Sequence, residues 1–221
     1  MTSYEVATKF ILPERRMRLA RFDTLNDPFE LFSFNMTDPD VRYVMKFLRD
    51  HWVEKIGIIC MGKHWRSPLM WAHYAENHTG VCLGFDVPDG MAREIHYSND
   101  REKIILDMAK ELRGIDEKIL EKAISTKYSQ WSYEEEWRLF SNLTEKDPVN
   151  GCYYLPFGPM ISLREVIVGA RCKAPVGSFR KIIGKTKNMI TVTKARAAFD
   201  TFTMVRQKKV TAITIHALKN N

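Results

Sequence analysis

The longest apolar runs of this chain, such as those at 56–61 and 166–170, end at strand length. They fall far short of the roughly 18 residues that a membrane-crossing helix needs. Bounded by turn residues, they point to buried strands.

The helices are marked by their starts. Asp38 as N-cap and Pro39 in the first turn precede Val41, Val44, Met45 and Leu48, a helical spacing that predicts a helix to about residue 55 packed on a sheet. Ser67-Pro68 opens a second helix, expected over 69–77 and ending before Gly80. Residues 100–124 read as a longer amphipathic helix, with Ile104, Ile105, Met108, Leu112, Ile115, Ile119 and Leu120 along one side and Gly114 interrupting it. A short helix is expected at 176–183. Strands are expected at 17–22, where apolar and basic residues alternate, and at 56–61, 81–86, 134–141, 152–155, 165–170, 189–193, 202–206 and 210–216. Helices and strands mix without regular βαβ alternation. The expectation is a single α+β domain over residues 1–221, with a mixed or mainly antiparallel, split sheet and flanking helices.

With 45% hydrophobic and 28% charged residues, the composition is that of a globular protein. The start, Met-Thr-Ser-Tyr-Glu-Val, lacks a basic region followed by an apolar stretch, so a soluble, cytoplasmic protein is expected, with no membrane partner. Cys60, Cys82, Cys152 and Cys172 form no CxxC pair and read as reduced thiols in or near the core. The histidines show no HxH or HExxH spacing, and no metal is expected. Motifs of P-loop, Rossmann and α/β-hydrolase enzymes are absent from the sequence.

Charge is segregated along the chain. From Arg171 onward there are twelve Lys and Arg against one acid, Asp200, a charge of +11 that leaves −4 for the first 170 residues. The basic segment 171–221, with Lys208 and Lys209 near its end, suits a nucleic acid or an acidic protein. A solvated face would carry the same charge. Aromatic residues for base stacking are few there: Phe179, Phe199 and Phe202.

Three motifs concentrate the polar chemistry. In the second helix, the repeat brings Met70, His73, Tyr74 and Asn77 together, with Trp71 beside Tyr74. Such a face could hold a planar ligand by stacking while His73 moves a proton. The plainer alternative makes Trp71 and Tyr74 core residues and His73 a satisfied buried imidazole. In a strand over 134–141, Glu134, Glu136 and Arg138 share one face, where Glu136 could act as a base or stabilise positive charge and Arg138 could bind phosphate. The plainer alternative is an exposed edge strand with weak surface pairs. The turn at Asn26-Asp27-Pro28-Phe29-Glu30 presents short polar side chains to a cleft, or hydrogen-bonds only its own loop.

Taken in order, Asn-Asp-Pro-Phe-Glu at 26–30, Met-Trp-Ala-His-Tyr-Ala at 70–75 with Gly-Val-Cys-Leu-Gly-Phe-Asp at 80–86, and Trp-Ser-Tyr-Glu-Glu-Glu-Trp-Arg at 131–138 resemble a bacterial family of unknown function. Leu163 to Cys172 is similar to its late strand. A more distant resemblance, to ADP-ribosyltransferases, implies an NAD-using enzyme acting as a toxin or phage-defence effector. It makes Tyr74 the middle element and Glu134-x-Glu136 the late carboxylates, with Glu136 stabilising an oxocarbenium-like ribose. No histidine stands near the first strand, so Arg18 or Arg21 takes the early basic role. Asn26, Asp27, Trp71, Glu134 and Arg138 are the expected substrate contacts. The competing expectations are a non-catalytic module in which Tyr74, His73, Glu136 and Arg138 recognise a nucleotide-like molecule, a nucleic acid or a peptide without turning it over, and a nuclease using His73 with Glu136.

Overall fold

The computed structural model describes residues 1–104 and 117–216. Of the helix expected over 100–124, Ile105, Met108, Leu112, Gly114 and Ile115 lie outside the described residues. The helix seen there is Glu117–Ser125. Residues 100–104 are not helical, because Asp100 turns back on the Ser98 hydroxyl and Glu102 bridges to Phe34.

In chain order the strands are β1 (Arg16–Leu19), β2 (Ile56–Gly62), β3 (Val81–Asp86), β4 (Ala92–Glu94), β5 (His96–Ser98) and β6 (Thr126–Tyr128). They continue with β7 (Glu136–Asn142), β8 (Tyr153–Pro156), β9 (Ser162–Val168), β10 (Ile190–Ala197), β11 (Met204–Arg206) and β12 (Ile213–Ile215). The chain is α+β, and its sheets are mainly antiparallel: only β9 with β10 and β5 with β6 pair in parallel among the described pairs. No helix among the described residues is long and apolar enough to cross a membrane.

The backbone gathers into two compact units. The first takes Met1–Met17, His64–Met91 and Leu155–Asn221, and the second Arg18–Lys63 and Ala92–Tyr154.

In the first unit the strand order is β11-β10-β9-β3, with β12 also on β10. Alternation along β9 sends Val166 and Val168 to one face and Ile167 to the other. Val166 and Val168 meet Val192, Phe179 and Ile183, the last two from the short helix Phe179–Ile183. Ile167 meets Trp71, Ala75, Ala195 and Met204. Ser67 caps the helix Pro68–Tyr74 through the Met70 amide. This helix ends earlier than its spacing predicts, because Glu76, Asn77 and His78 are all left-handed, with φ of 46°, 52° and 72°. The turn that follows is crowded: a Cβ on Gly80 would stand 2.2 Å from the Thr2 carbonyl oxygen, and one on Gly169 2.3 Å from that of His78. Both positions therefore need glycine for close backbone approach.

In the second unit β7 lies between β2 and β4. The Asp38 carboxylate accepts from the Asp40 amide and starts the helix Pro39–Val53. Its apolar stripe, Val41, Val44, Met45 and Leu48, is buried with Ile58, Phe22 and Phe34. Truncating one of these, as in Met45→Ala, should cost about 2–5 kcal/mol. The first strand is shorter than expected, because Phe22–Thr24 forms a 3-10 turn. Cys60 is partly exposed as a residue, but its thiol sits against Glu136 and Arg138, where burial pushes it well above its ordinary value, so it is a near-core thiol.

Candidate functional site

In the second unit, the turn at 26–30 and the stretch 134–138 meet around one buried guanidinium. Arg138 is fully buried, and all five of its N–H donors are used. Nε donates to Glu136 at 2.8 Å; Nη1 to Glu30 at 2.8 Å and the Ile124 carbonyl at 3.0 Å; Nη2 to Glu30 at 2.7 Å and Glu136 at 3.3 Å. The fork on Glu30 is bidentate, the strongest form of this pair. Lys127, from β6, donates to Glu134 at 2.6 Å and Glu136 at 3.0 Å, stands 3.9 Å from Glu30, and lies 5.0 Å from the Trp131 ring centroid. Tyr97 closes the edge by accepting the Glu136 amide at 2.8 Å through its hydroxyl.

Burial pushes the Glu136 carboxyl up, but Arg138 and then Lys127 outweigh it and hold it below the usual range. At Glu30, burial wins over the same two cations, and the carboxyl lies above its ordinary value. Lys127 is opposed by burial, yet Glu136 and Glu134 raise its ammonium. These carboxylates are consumed by fixed cations: Glu136 is 3% exposed with both oxygens engaged.

Two sequence expectations are corrected here. β7 is a central strand, not an exposed edge with weak surface pairs, because β2 and β4 flank it. Glu134 does not lie in that strand. It ends the 3-10 turn Ser129–Glu134, and Glu135, with φ of 43°, reverses the chain before β7 starts. Period two is therefore not what aligns Glu134 with Glu136; Lys127 bridges them. Of the remaining residues of this unit, Asp27 is buried and accepts from the Phe29 amide at 2.9 Å, whereas Asn26 is exposed. Arg18 is exposed, and Arg21 pairs with Asp23 and Glu54 at 2.8 Å each.

The helix Pro68–Tyr74 belongs to the first unit. Trp71 is fully buried, donates to the Trp65 carbonyl at 2.6 Å and stacks on His78 at 9°. It is corrected from ligand contact to core, since no face of its ring reaches solvent. His73 is exposed and Tyr74 half-buried, their rings 6.2 Å apart. His73 is thus not a buried imidazole.

The first unit also carries an open, basic surface. β10 and β11 form a hairpin in which Ala195 pairs with Arg206 and Ala197 with Met204. Its loop, closed by the Ala198 amide on the Thr203 carbonyl at 2.8 Å, holds out Phe199 and Phe202, 93% and 100% exposed. Beside it lies a hollow of about 670 Å³ lined by Trp65, Arg66, Arg196, Phe199, Arg206 and Lys208. Arg196 lies 4.1 Å over the Phe199 ring, and Arg206 pairs with Glu165 at 2.6 Å. Lys208 and Lys209 are both exposed in the turn after β11. Phe179, by contrast, is core.

Sequence reasoning missed Lys127, Arg66, Arg196 and Arg206, since none sits in a recognisable motif. Glu30 was within reach, as the last residue of the 26–30 motif. Among the described residues, no group of three or more His, Cys, Asp or Glu is placed to hold a metal ion.

Residues 70–139 match the model of a family described as proteins of unknown function (DUF2971). The match takes in the stretches 70–75 and 131–138 and supports the likeness to an uncharacterised family; it does not reach 26–30. No curated protein and no solved structure matches the chain.

Proposed function

We propose that this chain is a binding module for single-stranded nucleic acid, working through the β10–β11 hairpin. The observation that carries the reading is the pair of exposed rings, Phe199 and Phe202, at the tip of a loop bordered by Arg66, Arg196, Arg206 and Lys208. Exposed phenyl rings are costly in water and ready to stack on unpaired bases, while the cations follow the phosphates. An acidic protein would use the cations and leave the rings idle. The NAD-using transferase reading draws less support: Glu136 is closed in by Arg138 and Lys127 and offers no open oxygen to a ribose.

The test is fluorescence anisotropy of a labelled single strand and of the matching duplex, each at several salt concentrations. The single strand should bind more tightly, and Lys208→Glu/Lys209→Glu should flatten its salt slope by about 1.4, the share of two phosphate contacts. Equal competition by polyglutamate, or binding to phosphatidylserine vesicles without binding to the oligonucleotide, would overturn the reading.

A further inference from the structure

The charged side chains buried among the described residues are Asp27, Glu30, Glu134, Glu136, Lys127 and Arg138. All six belong to the second unit, and four are acids against two bases. Glu30, Glu134 and Glu136 share Lys127 and Arg138. Asp27 does not: it is 5% exposed, its carboxylate accepts only the Phe29 amide, and it has no ion-pair partner among the described residues. A buried charge left without a counter-charge is costly, so a cation that could reach Asp27 would be favoured there.

A cavity of about 230 Å³ is lined by Asp27, Glu30, Phe29, Asp100, Lys127 and Tyr128. Ser33 lines it as well, and its Oγ is buried without a hydrogen-bond partner among the described residues. At the wall, Arg101 lies over the Phe29 ring at 4.6 Å. Counting the wall together with the carboxylates behind it, five acids (Asp27, Glu30, Asp100, Glu134 and Glu136) face three bases (Arg101, Lys127 and Arg138). The surplus is negative, and the rings of Phe29 and Tyr128, about half exposed at 53% and 46%, supply flat apolar surface.

We propose that this cavity binds a small aromatic amine, its ammonium against Asp27 and its ring against Phe29 and Tyr128. The cavity volume suits a molecule of about ten heavy atoms, well below drug size. Ser33 Oγ, which lines the cavity, gives the ligand a second hydrogen bond. A bare metal ion is less suited, because no three-ligand group is placed for it among the described residues. This site lies wholly in the second unit and does not rest on the nucleic-acid reading.

The experiment is calorimetric titration of the full chain with tyramine and with tyrosol, which carries a hydroxyl in place of the amine. Tyramine should saturate and bind at least about tenfold more tightly than tyrosol, the difference one charge-assisted contact makes. Asp27→Asn keeps an acceptor for the Phe29 amide but removes the charge. It should lose that preference while tyrosol binding stays as in the wild type, and Ser33→Ala should weaken both compounds alike. Equal affinity for the two compounds, no saturable heat with tyramine up to about 10 mM, or wild-type tyramine affinity in Asp27→Asn would overturn the proposal. Circular dichroism melting of each variant guards the result: Asp27→Ser, which also lacks the charge and keeps an acceptor for the Phe29 amide, replaces Asp27→Asn if the latter does not fold, with the same loss of preference expected.

Discussion

Arg138 and Arg196 are the same residue type put to opposite uses. Arg138 is fully buried, and five N–H donors meet two carboxylates and a carbonyl. Arg196 lies over an exposed phenyl ring beside an open hollow. A guanidinium whose every donor is spoken for holds chain segments together, here residue 30 with residues 124, 136 and 138. One at an open surface has donors and a ring to offer a ligand. Charge in a motif is therefore not itself a sign of a binding site; what decides is whether the fold has already satisfied it.

The largest expected effect is at the buried end of this contrast. Arg138→Met leaves Glu30 and Glu136 without their main cation, and chemical denaturation should show a loss of about 3–5 kcal/mol, with little effect on oligonucleotide binding. Loss of binding with unchanged stability would reverse the assignment. Replacing the ring pair should come next: each base–aromatic contact is worth about 1–3 kcal/mol, so Phe199→Ala/Phe202→Ala should weaken a single strand by about thirtyfold or more while stability holds.

The pH dependence sharpens the buried side. Glu136 has a folded carboxyl below its ordinary 4.5, so its contribution to stability is present above that value and is lost as pH falls through the folded value. Glu30 has the opposite sign: its carboxyl is raised, so its contribution is full below 4.5 and is lost as pH rises through the folded value. Denaturation midpoints from about pH 3 to pH 7 should therefore show a shallower acid limb in Glu136→Gln than in the wild type. An identical limb would mean that Glu136 is not the group held down. The smallest effect is outside the contrast: Asp38→Ala removes the cap of the helix Pro39–Val53 and should cost about 1 kcal/mol, read from the same denaturation curves.

Much of the fold was legible because its signals are local. Asp38-Pro39 and the 41, 44, 45, 48 stripe give a helix whose apolar face is buried as the spacing implies, and the run 81–86 is β3. Three short strands were not legible: β4, β5 and β6 have three residues each, and unlike the Ile-Thr-Ile of β12 they carry no apolar alternation. Left-handed backbone at Glu76, Asn77, His78 and Glu135 was equally hidden, since glutamate and histidine there carry no sequence mark of a reversal. For the candidate site, Glu136 and Arg138 could be picked from their spacing, but not their state. That depends on Lys127 and Glu30, brought in from other elements, and a partner 108 positions away cannot be read from either motif. Phe199 and Phe202 stood out by type, while their exposure follows from the loop between β10 and β11, which only the pairing register reveals.

The claim at the centre is that the open hairpin binds and the closed cluster supports. One measurement sets them against each other: anisotropy of a labelled single-stranded oligonucleotide, titrated with wild type, Phe199→Ala/Phe202→Ala and Glu136→Gln, each at a temperature where melting shows it folded. The hairpin variant should bind more weakly by about thirtyfold or more, and Glu136→Gln should match the wild type. Wild-type affinity in the hairpin variant, or a loss confined to folded Glu136→Gln, would contradict the account.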